Sequence, residues 1–188
     1  EWKPDYGPSK FKPKMGVTAT GARAILIAYN VNLDTDDKSK ANSIASKIRT
    51  SGSLVKDENG EKVIGDDGKP LRNPGIFQSL QAAGWMYDPS TAQVSMNLLD
   101  YDVTGLHEVT EAIRVEAKKI GLNVTAGELV GLVPLSAMKS AGNYYNNDKG
   151  EIDEKTIVEK AISGLMLDRL RDFDPQSCII EWAIARGS

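Results

Sequence analysis

One cysteine, Cys178, and one histidine, His107, are all that the 188 residues offer of those two types. A single thiol closes no disulfide within the chain, so nothing covalent fastens the fold and a reducing compartment is permitted. Zinc sites built from nitrogen and sulfur need three or four ligands, more than this composition supplies. No uninterrupted apolar run approaches the roughly 20 residues that a membrane-spanning helix requires. The opening residues, Glu1-Trp-Lys-Pro, carry no signal-peptide pattern, and a soluble cytoplasmic protein is expected. The formal net charge of −3 is too small for bulk electrostatic binding to nucleic acid. No arginine-aromatic recognition pattern accompanies it, so nucleic acid is not an expected partner. A starting methionine is also missing, and the opening Pro- and Lys-rich segment reads as a boundary inside a longer protein.

What is present is 40% hydrophobic content, enough for one domain with its own core. Residues 1–19 place Pro4, Pro8 and Pro13 among Lys3, Lys10, Lys12 and Lys14, a composition that resists regular structure and predicts an extended linker. The domain is expected over 20–188. Ala22 to Leu33 is strongly β-prone: Arg23, Ile25, Ile27, Tyr29, Val31 and Leu33 alternate with Ala22, Ala24, Leu26, Ala28, Asn30 and Asn32. The bulky face suits packed helices, and the face of small and amide residues suits a second sheet or a flat ligand.

A helix is predicted from Asp36 to Arg49, with Thr35 as N-cap, Gly52 beyond its end, and Ala41, Ile44, Ala45 and Ile48 as its apolar stripe. Ser53 to Gly75 is rich in turn formers, including Glu58-Asn-Gly60 and Asp66-Asp-Gly68, and reads as a surface hairpin or flap. Two strands, Ser79 to Tyr87 and Gln93 to Asp100, follow as a hairpin around Asp88-Pro-Ser-Thr91. In the second of them Gln93, Ser95 and Asn97 point one way while Val94, Met96 and Leu98 point the other.

Thr104 is the expected cap of a second helix whose apolar stripe is Leu106, Val109, Ile113, Ala117 and Ile120, closed by Gly121. Leu122 to Val133 reads as a strand interrupted by Gly127 and Gly131, which mark a bulge or the close approach of another backbone; Pro134 ends it and opens a short helix. A last helix spans Glu154 to Leu165 with Asp153 as its N-cap, and Cys178 to Ala185 is predicted to be a terminal strand with Cys178 buried in it. The order βαββαβ followed by α and β predicts an α+β fold. Its core is a ferredoxin-like split βαβ with an added C-terminal helix and strand, the sheet mostly antiparallel or mixed and the helices on one face. This fold hosts many functions and identifies none.

Several motifs go further. Ala92-Gln-Val-Ser-Met-Asn-Leu-Leu-Asp-Tyr-Asp-Val-Thr-Gly-Leu-His107 and Glu128-Leu-Val-Gly-Leu-Val-Pro-Leu135 stand out. Pro4-Asp-Tyr-Gly-Pro8, Gly16-Val-Thr-Ala-Thr-Gly-Ala-Arg23, Leu26-Ile-Ala-Tyr-Asn-Val-Asn-Leu33 and the closing Ile179-Ile-Glu-Trp182 complete the set. In this order they resemble the C-terminal subdomain of the glutamate formiminotransferases over nearly the whole chain. The resemblance implies a transferase of histidine breakdown that moves a formimino group from N-formiminoglutamate to tetrahydrofolate, its co-substrate. It also implies that the catalytic histidine belongs to an N-terminal subdomain, with folate bound in a tunnel between the sheets of the two subdomains, and that this chain alone is folded but inactive. In some relatives a cyclodeaminase domain follows.

The residues offer candidates for such a wall. Asn30, Asn32, Gln93, Ser95 and Asn97 put short polar side chains on one face of two strands, either as a ligand floor or as an exposed sheet face; amides both donate and accept, which suits a pterin ring. Gly21 and Arg23 either grip a carboxylate of folate or of formiminoglutamate, or serve a turn and a surface ion pair. Glu128, in an apolar strand, is an edge residue or a buried carboxylate with a purpose. Asp100 and Asp102 read as turn residues, the lysines of the opening segment as a solvated basic stretch, and His107 as a helix-end histidine rather than a general base. An uncovered small-residue face also predicts homo-oligomers. The alternatives are a stand-alone module of the same fold that binds a small ligand, and a dimerisation domain.

Overall fold

A computed structural model of the chain describes residues 3–10, 13–14, 16–146 and 152–187; Lys12 of the basic segment lies outside them. The first regular element is strand β1, Ile27–Leu33, five residues later than the β-prone run begins. Residues 16–24 are exposed and in neither helix nor strand, and no strand among the described residues pairs with them. Within β1 the alternation holds: Ile27, Tyr29, Val31 and Leu33 are fully buried.

Helix α1, Lys38–Ile48, is capped by Asp37, whose carboxylate accepts the Ser39 amide at 2.8 Å. Thr35 is not the cap; its hydroxyl accepts the Asp37 amide one turn earlier. Ala41, Ile44, Ala45 and Ile48 are buried as the spacing predicts. The chain then runs out as a flap whose base is the short pair β2, Ser53–Leu54, and β3, Arg72–Asn73, with further bridges Lys56 to Lys62 and Ile64 to Pro70. Its exit is tied to the end of α1 through Ile76 N–H to Lys47 O and Phe77 N–H to Ile48 O.

Strands β4, Leu80–Asp88, and β5, Thr91–Leu98, form the hairpin around Pro89-Ser90. Helix α2, Leu106–Lys119, begins with the Gly105 amide donating to Glu108 Oε2 at 2.7 Å. Thr104, expected as the cap, is buried and donates to Gln78 O at 2.6 Å instead. At the far end Gly121 takes φ +73, and the amides of Gly121 and Leu122 return to Lys118 and Ala117, so the last carbonyls are satisfied by a left-handed closing residue. Strand β6, Val124–Val130, follows, with a register shift opposite Asn32 and Leu33.

Strands β4, β5, β1 and β6 lie side by side in that order and pair antiparallel throughout, the arrangement of a ferredoxin-like split βαβ. Helix α1 packs on β4 and β5, and α2 on β1 and β6, so the helices share one face of the sheet. Two further helices, α3 at Leu135–Tyr145 and α4 at Glu154–Leu165, pack on each other and against α2. The Asp153 cap of α4 is as predicted, its carboxylate accepting the Thr156 amide.

The predicted C-terminal strand is not there. Asp174 caps a single turn, α5, Pro175–Cys178, and Ile180–Gly187 continues as helix α6. Cys178 is therefore a half-buried residue at a helix end, not a buried strand residue. Short apolar runs carry no decisive period. Here Ile179 alone is extended, between the two helices, and it meets the core together with Cys178 and Trp182. Only an isolated parallel bridge between Val133 and Ile179 survives of the expected pairing.

The small-residue positions are where backbones cross. A Cβ on Gly127 would lie 2.1 Å from Leu165 O, and one on Gly84 would lie 2.3 Å from the amide nitrogen of Asn42. The first marks the end of α4 against β6, the second α1 against β4; the reading of Gly127 as a close approach is correct.

Candidate functional site

One face of the sheet carries the helices; among the described residues no helix packs on the other. Register places on this open face Gln81, Ala83, Trp85 and Tyr87 from β4, and Gln93, Ser95 and Asn97 from β5. From β1 it carries Ala28, Asn30 and Asn32, and from β6 Ala126, Glu128 and Val130. The alternation that buries Ile27, Tyr29, Val31 and Leu33 against the helices necessarily turns the amides the other way. Five of the eight predicted site residues thus meet on neighbouring strands: Asn30 pairs with Ser95, Asn32 with Gln93, and Asn97 with Ala28. Glu128 joins them as the register partner of Asn30 across β6.

The floor is not uniform. At one end Asn97 Nδ2 donates to Gln81 Oε1 at 3.4 Å, within reach of solvent. At the other end Asn32 and Gln93 are buried, 1% and 5% exposed, and Asn32 Oδ1 and Gln93 Oε1 have no hydrogen-bond donor among the described residues. A buried acceptor without a donor costs about 1–3 kcal/mol. The two lie beside each other, on register partners of neighbouring strands, and both go unmet among the described residues. Between the ends, Asn30 Nδ2 donates to Glu128 Oε2 at 2.9 Å, and Arg171 approaches Glu128 Oε1 at 4.0 Å. That second distance is an ion pair without a hydrogen bond.

Trp85, Tyr87 and Arg171 belong to this surface and are absent from the sequence-based candidates. Trp85 and Tyr87 are 58% and 44% exposed, and Lys38 Nζ stands 5.0 Å from the centre of the Trp85 ring. Their signal was legible: Leu80, Ala82, Gly84 and Met86 alternate with Gln81, Ala83, Trp85 and Tyr87 as cleanly as any pair of faces in the chain. Arg171 lies in an irregular stretch after α4 and gives no sequence signal.

Gly21 and Arg23 are not brought to the floor. Both are exposed, the space around Gly21 is open, and the Arg23 guanidinium donates only to the adjacent Ala24 carbonyl at 3.2 Å.

His107 stands apart from the amides, in the first turn of α2, stacked on Tyr144 with ring centres 4.7 Å apart. It borders a small cleft with Tyr101, Asp102, Glu108, Ser136 and Ser140. Burial holds its pKa below the usual imidazole value, against the opposing pull of Glu108 and Glu111. Asp100 accepts the Asp102 amide at 3.1 Å, in the turn role expected for these two. Among the described residues no group of three or more His, Cys, Asp and Glu is disposed to hold a metal ion, and no helix is long and apolar enough to cross a membrane.

The sequence model of the formiminotransferase domain matches residues 28–185 of the chain. The chain is 40% identical to a formimidoyltransferase-cyclodeaminase of Rattus norvegicus, over 98% of its own length and 31% of that protein. It is 40% identical to a protein of the same description from Dictyostelium discoideum, over 98% of its length and 32% of that protein. To a glutamate formimidoyltransferase of Streptococcus pyogenes serotype M1 it is 36% identical, over 87% of its length and 48% of that protein. The chain therefore spans about a third of the two-activity relatives and about half of the single-activity one.

Proposed function

The chain belongs to the formiminotransferase domain family, and on that premise we propose that it forms one wall of the active site of a glutamate formimidoyltransferase. The reaction moves the formimino group of N-formiminoglutamate to N5 of tetrahydrofolate, the step of histidine breakdown that loads a one-carbon unit on folate. The open sheet face binds the reactants, and a preceding N-terminal half closes over it and brings the general base. His107 is not that base in this reading, since the cleft it borders is lined by none of the amides of the floor.

The observation that carries this reading is the pair of buried, donorless oxygens on Asn32 and Gln93. A reduced pterin presents several ring and exocyclic N–H groups in one plane, the complement of two acceptors side by side. Trp85 and Tyr87 add an aromatic shelf at the edge of the same face, suited to stacking a flat ring or its benzoyl neighbour. Ser95 and Asn97 extend the floor toward solvent. Gly21 and Arg23 lie away from the floor, and in this reading they meet a glutamate carboxylate only when the N-terminal half is joined, the Arg23 guanidinium being in no ion pair among the described residues. A wall of this kind contributes orientation rather than proton transfer, and orientation can supply several kcal/mol of a barrier.

Calorimetric titration with 5-formyltetrahydrofolate, a stable analogue of the product, tests this reading on the chain alone and on the chain joined to a family N-terminal half. Saturable binding in the joined protein, weakened about tenfold or more by Asn32→Ala or Gln93→Ala through loss of a buried hydrogen bond, is the expected result. Absence of binding in both forms overturns it.

A further inference from the structure

We propose that Glu128, held in place by Asn30, is the subsite for the protonated amidine of the formimino substrate. This rests on the transferase reading and goes beyond it, because it assigns one end of one reactant to one carboxylate. The formimino group attached to nitrogen is an amidine. Like the guanidinium of arginine it is cationic at neutral pH and presents coplanar N–H donors, a match for a carboxylate that accepts two parallel bonds.

Glu128 has the geometry for this. Its side chain is 19% exposed on the open face, so it reaches the ligand surface without being surrounded by water. Oε2 is occupied by Asn30 Nδ2 at 2.9 Å, which fixes the rotation of the carboxylate. Oε1 faces the Arg171 guanidinium at 4.0 Å, beyond hydrogen-bond range, so a planar cation already stands near the position without bonding there. Arg171 is itself 71% exposed, and its displacement by a second planar cation breaks no hydrogen bond to Glu128.

The surroundings favour a cation over an anion. Glu128 lines a cleft with Leu167, Leu170, Arg171, Asp172, Phe173 and Asp174, in which three carboxylates face one guanidinium; Arg186, 3.7 Å from Asp174, partly offsets the excess. A second and independent observation lies on the same strand. Asn32, two residues from Asn30 on the same face and so roughly 7 Å along β1, is almost fully buried and leaves its Oδ1 without a donor. That oxygen adds unmet acceptor capacity beside the Asn30–Glu128 pair, which an N–H-rich cation can satisfy. A carboxylate bound to the amidine also keeps it protonated, the form whose carbon is open to attack by an amine.

The test compares two substrates on the chain joined to a family N-terminal half: N-formiminoglutamate, which is cationic at the transferred group, and N-formylglutamate, its neutral oxygen counterpart. Glu128→Gln keeps the size of the side chain and can still accept from Asn30. The expected result is a KM for N-formiminoglutamate raised about 10- to 100-fold, the range of a charge-assisted hydrogen bond, with the KM for tetrahydrofolate and the melting temperature unchanged. Preference for the cationic over the neutral substrate should fall by the same factor. Arg171→Ala should leave that KM unchanged or lower it. An equal loss on both substrates, or no loss, overturns the assignment, as does a raised KM from Arg171→Ala. If the parent protein transfers neither group, the transferase reading itself fails, which separates the two failures.

Discussion

The phenolic oxygen of Tyr29 lies 3.0 Å from the hydroxyl of Thr110, and neither side chain is exposed to solvent. Thr110 donates its own proton to Leu106 O, so the Tyr29 proton is shared between Thr110 Oγ1 and Leu165 O at 3.3 Å. One hydroxyl thus joins the middle of the central strand to α2 and to the end of α4. Burial pushes the Tyr29 phenol far above its ordinary pKa, so it stays a donor at every pH the fold survives. Tyr29→Phe should cost about 1–2 kcal/mol, the value of a buried hydrogen bond whose acceptor is left unmet. Urea unfolding with an unchanged slope would show it, and adding Thr110→Val should cost less than the sum of the two single changes.

Gly127 and Gly131 should respond differently to the same methyl group. A Cβ on Gly127 collides with Leu165 O, a backbone atom at the turn that closes α4, so Gly127→Ala forces strand and helix apart at a cost of about 1–3 kcal/mol or more. Gly131 faces open space but sits at φ +85, and Gly131→Ala pays only for the left-handed backbone, about 1 kcal/mol. Equal losses in thermal unfolding would contradict the crossing at Gly127.

Replacing a donorless buried amide by an apolar side chain of similar shape should stabilise the chain. Gln93→Met removes Oε1 from an environment that gives it no donor, and a gain of about 1 kcal/mol is expected in denaturant unfolding. The same variant should bind 5-formyltetrahydrofolate more weakly when the N-terminal half is present. A gain in both would separate the orphaned oxygen from ligand binding.

The sign of the His107 contribution follows from its lowered pKa. The folded state resists protonation more than the unfolded state does, so the unfolded chain holds more protons once the pH falls below the ordinary imidazole value of 6.5. Stability is therefore untouched above that value and declines as the pH falls from it toward the lower folded pKa. His107→Gln should flatten this part of the stability profile in urea titrations between about pH 7 and 5. A profile as steep in the variant as in the parent would place the proton uptake elsewhere.

Much of the site was legible because one rule covers it. A strand turns alternate residues to opposite faces, so the apolar residues of β1 and β5 assign Asn30, Asn32, Gln93, Ser95 and Asn97 to the other side before any pairing is known. The same rule applied to β4 yields Trp85 and Tyr87. Gly21 and Arg23 fell outside it, since β-propensity alone carried the strand back to Ala22, and propensity makes no strand where no neighbour pairs. The caps were misassigned by one or two residues at Thr35 and Thr104, where several side chains able to cap stand in succession and tertiary contacts choose among them.

Local order along the chain was the sequence's own doing: the βαββαβ succession, the stripes of α1, α2 and α4, the Gly121 stop and the Asp153 cap all follow from periods and backbone preferences that act within a few residues. Tertiary structure decided what those preferences leave open. The run from Cys178 kept one extended residue, Ile179, at its bridge to Val133 and turned helical from Ile180, with Trp182 against the core. Asn30 and Glu128, 98 positions apart, met because β6 pairs with β1 rather than with the hairpin edge. Whether an amide ends buried and donorless, as Asn32 and Gln93 do, depends on every neighbour the fold brings near, and contacts between distant segments are written in no local pattern.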